Sequence, residues 1–133
     1  MIVFVDADAF IGVSIETDPH HNEAKQLFAQ LADSKDVLVT SWDTVDETAS
    51  KLSQFSTKQI ALSFLNFLGQ SAIMVYYTDY AIATKALKLF AKQTSKRVSL
   101  TDCTNMIIAK SLGAEIFFSF DRHYEKNGFK LLK

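Results

Sequence analysis

Apolar residues follow two rhythms along this chain. Unbroken runs at Ile2-Val3-Phe4-Val5, Val37-Leu38-Val39-Thr40, Ala72 to Tyr77 and Glu115 to Phe118 are short and rich in β-branched or aromatic residues, so they read as buried strands. Between them the apolar positions recur every three or four residues. Ala24, Leu27, Phe28 and Leu31 mark a helix over 20–32, and Ala83, Ala86, Leu87 and Phe90 the inner face of a long helix over 79–93. Further helices are predicted over 8–15, 44–55, 57–68 and 102–112, with Gly69 and Gly113 as stops. Residues 129–132 read as a short fifth strand. Strands without polar alternation must be covered on both faces, and their alternation with helices implies βαβ crossovers. The expected fold class is α/β with a mostly parallel sheet, in one domain spanning 1–133 with no repeat and no linker.

Acidic residues stand where these elements meet. Asp6 ends the first strand, Glu47 lies in the third helix, Asp102 opens a late helix, and Asp121 follows Phe117-Phe118-Ser119-Phe120. In an open α/β sheet, ligands gather outside the carboxyl ends of the strands. Carboxylates converging there repel one another unless a cation intervenes, and hard oxygen donors suit Mg²⁺ or Mn²⁺. The pattern points to a metal-dependent enzyme acting on phosphate esters. Each acid also has a plainer reading. Asp8 caps the helix that follows it, which explains it fully. Asp102 or Thr101 would satisfy free amides at a helix start, Glu47 has Asp43 and Asp46 as neighbours on a solvated face, and Asp121 sits beside Arg122 in a loop. Ser119 brings a hydroxyl close to the same strand end, where it would orient a metal-bound water.

Lys85, Lys88, Lys92 and Lys96 fall on one face of the long helix. A solvated face explains such a stripe, and so does a track for phosphates, which Lys51, Lys58 and Arg122 would extend. His20, His21 and His123 lack metal-ligand spacing, and no P-loop or Gly-rich dinucleotide motif is present.

Composition narrows the class. With 133 residues, 48% of them hydrophobic, the chain can bury a core without disulfides or structural metal. A lone Cys103 forms no intramolecular disulfide and supplies no zinc cluster. A formal net charge of −1 argues against a strongly basic nucleic-acid coat protein. The apolar N-terminal run is cut by Asp6 and Asp8 and lacks a basic leader, so it reads as a strand and not a signal peptide. No run approaches the roughly 20 apolar residues of a membrane span. A soluble, cytoplasmic protein without membrane contact is the expectation.

The acids and their surroundings resemble the PIN domain family, and within it the small VapC-type ribonucleases. Val3-Phe4-Val5-Asp6-Ala7-Asp8 is similar to that family's first strand, with Asp8 where Ser, Thr or Asn is more usual. Glu47 stands where the family carries a helical Glu. Leu100-Thr101-Asp102 with Ile107-Ile108-Ala109 resembles its third-acid segment, and Ser119-Phe120-Asp121-Arg122-His123-Tyr124 with Gly128 to Leu132 its closing stretch. The resemblance implies a Rossmann-like three-layer α/β/α sandwich and a Mg²⁺- or Mn²⁺-dependent endoribonuclease. Asp6, Asp102 and Asp121 would hold the metal, with Glu47 as a direct or water-mediated ligand. It also implies a homodimer and a toxin silenced by a cognate antitoxin protein.

Two other readings stand beside it. Asp6-Ala7-Asp8 and Thr101-Asp102 resemble the acids of a haloacid dehalogenase-type phosphatase, although Ala9-Phe10 and Met106 occupy positions where that family needs Gly-Thr and a second acid. A catalytically silent PIN-like scaffold binding RNA or protein is the other.

Overall fold

The computed structural model describes residues 1–133. Five strands, β1 (Ile2–Val5), β2 (Val37–Ser41), β3 (Met74–Tyr76), β4 (Ile116–Phe118) and β5 (Lys130–Leu131), form one sheet in the order β3-β2-β1-β4-β5. Every pairing is parallel. The seven helices are α1 (Ala7–Ser14), α2 (His21–Ala32), α3 (Trp42–Phe55), α4 (Lys58–Gln70), α5 (Tyr80–Lys92), α6 (Leu100–Leu112) and α7 (His123–Lys126). None is long and apolar enough to cross a membrane.

Side chains of a strand alternate between faces, and β1 divides its residues accordingly. Val3 and Val5 pack with Phe10, Leu27, Leu52 and Phe64 from α1–α4. Phe4 faces the other way, into a second cluster with Ala86, Met106, Ile108, Phe117 and Tyr124 from α5, α6, β4 and α7. The result is the expected three-layer α/β/α sandwich. Phe4, Phe117 and Tyr124 form a column of rings in the second layer, with centroids 4.9 and 4.0 Å apart. Burial of one such ring contributes about 1.5–3 kcal/mol, so this column fixes β4 and α7 against β1.

Chain order creates a switch point. From β1 the chain moves outward through β2 and β3, then returns to the opposite side of β1 for β4 and β5. The crevice at the carboxyl ends of β1 and β4 is therefore flanked by crossovers leaving in opposite directions, the place where α/β sheets bind ligands.

The structure shifts several boundaries. Gly69 does not stop α4, which continues to Gln70, because the chain stays helical there; only Gly113 and Gly128 take positive φ, at 74° and 91°. Helix α6 begins at Leu100, two residues before the predicted start, with Ser99 as its N-cap. The four-residue α7 was not predicted, being too short for apolar periodicity to show.

Candidate active site

Strand β1 delivers Asp6 to the crevice, and α1 begins at once with Ala7. Asp6 occupies the N-cap position yet makes no side-chain cap bond. Its carboxylate turns instead to the far side of the crevice, where Oδ2 accepts from Ser119 Oγ and from Tyr124 Oη, each at 3.0 Å. Only 7% of Asp6 is exposed.

Asp8 corrects the sequence reading. It lies inside α1 and caps nothing. Its Oδ2 accepts from the Phe120 amide at 2.9 Å and from Ser119 Oγ at 3.2 Å, while its Oδ1 is buried without any partner. An orphaned buried carboxylate oxygen costs free energy unless something cationic or protic meets it. Asp8 therefore belongs to the site.

Asp102 is the third residue of α6. Its Oδ2 accepts from the Ser99 amide at 2.9 Å while Ser99 Oγ accepts from the Asp102 amide at 3.0 Å, a reciprocal capping box. The other oxygen, Oδ1, lies 3.1 Å from Tyr124 Oη, which has a single proton to share between Asp102 and Asp6. Capping and site membership are thus combined in one carboxylate. Asp121 follows β4 and is half exposed; its Oδ1 lies 2.8 Å from His123 Nδ1, whose Nε2 lies 3.2 Å from Asp102 Oδ2. Neither imidazole nitrogen is aligned for a hydrogen bond, so the His123 ring sits buried between two acids through close polar contacts. Glu47 projects from α3 and pairs with Lys51 at 3.5 Å.

Asp6, Asp8, Glu47, Asp102 and Asp121 line one cleft of about 250 Å³, together with Ala7, Lys51, Arg97 and Ser99. The electrostatics follow from this crowding. Burial, then the charges of Asp8 and Asp102, raise the Asp6 carboxyl well above its ordinary range. Burial also lifts Asp8, to about 6, against the opposing donation of Phe120 and Ser119. Tyr124 is pushed well above its usual range by burial and by the two acids it touches.

A buried network outside the cleft holds its walls. Ser41 Oγ donates to Asn105 Oδ1 at 2.6 Å, and Asn105 Nδ2 donates to Thr44 Oγ1 at 2.8 Å. These bonds tie the start of α3, which carries Glu47, to α6, which carries Asp102.

Not all predicted residues gather here. Lys85, Lys88 and Lys92 are exposed along α5, Arg122 is exposed before α7, and none lines the cleft. Its cations are Lys51 and Arg97. Ser119 is buried with its hydroxyl already committed to the two aspartates. The reading missed His123, Tyr124, Arg97 and Asn105. Tyr124 had one available signal, a polar aromatic immediately after a short acidic loop.

The donor set fits a hard divalent cation: all-oxygen, anionic, with an orphaned carboxylate oxygen and mutual repulsion to relieve. No three His, Cys, Asp or Glu side chains are drawn into a closed shell. Mg²⁺ is usually held by one or two carboxylates plus water and substrate phosphate.

Solved structures share this architecture. VapC20 of Mycobacterium tuberculosis, described as a toxin cleaving the sarcin-ricin loop, superposes with a TM-score of 0.87 at 20% identity, covering 96% of this chain and 95% of that one. The chain has the PIN fold of the VapC toxins. VapBC2 of Rickettsia felis, solved with a promoter DNA fragment, gives a TM-score of 0.71 at 12% identity, over 99% and 98% of the two chains. VapBC-1 of nontypeable Haemophilus influenzae gives 0.67 at 16%, over 100% and 98%. No family model and no curated protein matches the sequence itself. Within the PIN fold, the two positions a phosphatase reading would need, Phe10 and Met106, are buried in the core and face no cleft.

Proposed function

We propose that this protein is a divalent-metal-dependent endoribonuclease, the toxin of a toxin–antitoxin pair. One observation carries the reading: Asp6, Asp8, Glu47, Asp102 and Asp121 meet in a single cleft at the β1–β4 switch point of a PIN fold. Asp6, Asp8, Asp102 and Asp121 are the residues to hold Mg²⁺ or Mn²⁺, with Glu47 at the rim. When bound, the cation supplies a lowered water pKa and neutralises charge building on the phosphoryl oxygens.

The chain's own groups do the rest. Lys51 and Arg97 flank the acids and attract the RNA phosphates. The Ser119 hydroxyl and the Phe120 amide fix the inner edges of Asp6 and Asp8, so the carboxylates meet substrate already oriented. In-line hydrolysis would leave a 5′-phosphate and a 3′-hydroxyl. The polar cleft cannot itself read a sequence, and RNA choice falls to single-stranded bases around it.

Two partners belong to this reading. An antitoxin follows by analogy with the VapBC assemblies of the same fold. An apolar groove of about 440 Å³ between α2 and α4, lined by Phe28, Leu31, Leu38, Phe67 and Ile73, offers a protein partner apolar surface away from the acids. A homodimer is the second assembly proposed.

The test is cleavage of labelled total RNA in Mn²⁺, Mg²⁺ and EDTA, with Asp6→Asn purified in parallel. Metal-dependent cutting that vanishes in the variant is expected. Equal cutting by both proteins would remove the site assignment, and a folded wild type that cuts no RNA in either metal would remove the nuclease.

A further inference from the structure

Tyr124 joins Asp6 to Asp102, its hydroxyl lying 3.0 Å from Asp6 Oδ2 and 3.1 Å from Asp102 Oδ1. The residue is fully buried and does not line the cleft, so it reaches both carboxylates from the core side. Its ring is stacked on Phe117 with an interplanar angle of 15° and flanked by His123 at 4.3 Å. The hydroxyl is therefore placed by the aromatic column and not by a mobile side chain.

A phenol has a single proton. It can donate to one carboxylate at a time, so the hydroxyl stands as a fixed oxygen between the two facing carboxylate oxygens. Asp6 and Asp102 repel each other when both are ionised. The Ser99 amide holds Asp102 and the Ser119 hydroxyl holds Asp6, and Tyr124 is the group that stands between the two. With the hydroxyl in place, their inner oxygens are pinned before the cation arrives. This is preorganisation of a ligand pair through a group that does not itself touch metal or substrate.

We propose that Tyr124 is a positioning residue of the metal centre, bridging Asp6 and Asp102 so that their spacing is preset for a divalent cation. The inference rests on the metal-centre reading above. The hydroxyl sets cation affinity, and the ring, through its stack on Phe117, sets where the hydroxyl stands.

Tyr124→Phe keeps the ring and removes only the oxygen. Titration calorimetry with Mn²⁺ alone is expected to show binding weakened about tenfold or more, the usual scale for losing a partner behind a metal ligand. RNA cleavage should need correspondingly more Mn²⁺ and recover most of its rate at saturation. Thermal denaturation in EDTA separates a merely structural role, which would lower the melting temperature and leave Mn²⁺ affinity alone. Affinity within twofold of wild type overturns the inference, whatever the melting temperature does. Wild-type protein that binds no Mn²⁺ overturns the metal centre together with it. Wild-type protein that binds Mn²⁺ beside a Tyr124→Phe variant of equal affinity overturns only the bridge.

Discussion

Replacing Asp8 with Asn changes one charge and almost no volume, and its effect should depend steeply on pH. In the folded chain Asp8 titrates at about 6 against an ordinary 3.8. At 1.36 kcal/mol per pKa unit, that difference corresponds to about 3 kcal/mol. The sign follows from proton counting. Between these two values the folded state holds a proton that the unfolded chain has released, so stability falls as pH rises. The metal-free wild type should therefore lose about 2 kcal/mol of this through Asp8 between pH 4 and pH 7, and Asp8→Asn should not. The Asp6 contribution shrinks as well in the variant, because Asp8 is the second cause of its raised pKa. The new amide places an N–H₂ where Asp8 Oδ1 already lacks a partner, so one buried polar group is unpaired in both proteins and its change shifts the absolute stability without changing the slope. Absolute stabilities thus overlap, and the slope is the quantity to read. Urea denaturation of both proteins in EDTA at half-unit steps from pH 4 to 8 measures it. Parallel profiles would refute the reasoning, for they would mean that Asp8 is not held in a desolvated environment.

Asp6→Asn should abolish RNA cleavage, a loss of at least 100-fold, while raising metal-free stability at pH 7.5; a lower melting temperature in EDTA would contradict the repulsion argument. Asp102→Asn should also stop cleavage but, unlike Asp6→Asn, lower stability by about 1 kcal/mol by weakening the capping box at Ser99, which circular dichroism melts can resolve. Arg97→Ala should weaken RNA binding and reduce the slope of log K against log salt by about 1, whereas Lys88→Ala with Lys92→Ala should change it less, since those lysines stand outside the cleft. A larger loss for the lysine pair, measured by filter binding across salt, would return the phosphate track to α5.

The fold was legible because its strands are uniformly apolar. Ile2 to Val5 and Ile116 to Phe118 offer no polar face, which only a sheet covered on both sides accepts. Asp6 and Asp102 were legible for the same reason: a charge ending an apolar strand or opening a helix breaks a pattern. Asp8 was misread because spacing along the chain cannot distinguish a carboxylate facing its own helix from one reaching Ser119, 111 residues away beyond the end of β4. Asn105 was invisible, and Tyr124 nearly so, for a related reason. Their partners are brought to them by the crossover that returns the chain to β1; Asn105 is a buried polar residue on a helix whose periodicity comes from its apolar positions, and α7 is too short to show any. The lysine stripe was legible as a stripe; its distance from the acids was not.

The order in which the sheet is filled has a consequence for synthesis. Asp6 and Asp8 are made well before the groups that hold them, for Ser119, Phe120 and Tyr124 come more than 100 positions later. At about 5–20 residues per second, translation separates the two halves of the cleft by roughly 5–20 seconds. During that interval α1 to α4 can collapse on β1 to β3, but the second wall of the cleft does not exist. If the completed protein cuts RNA, a chain still being made is harmless to the ribosome that makes it, and the activity arrives only when β4 slots in beside β1.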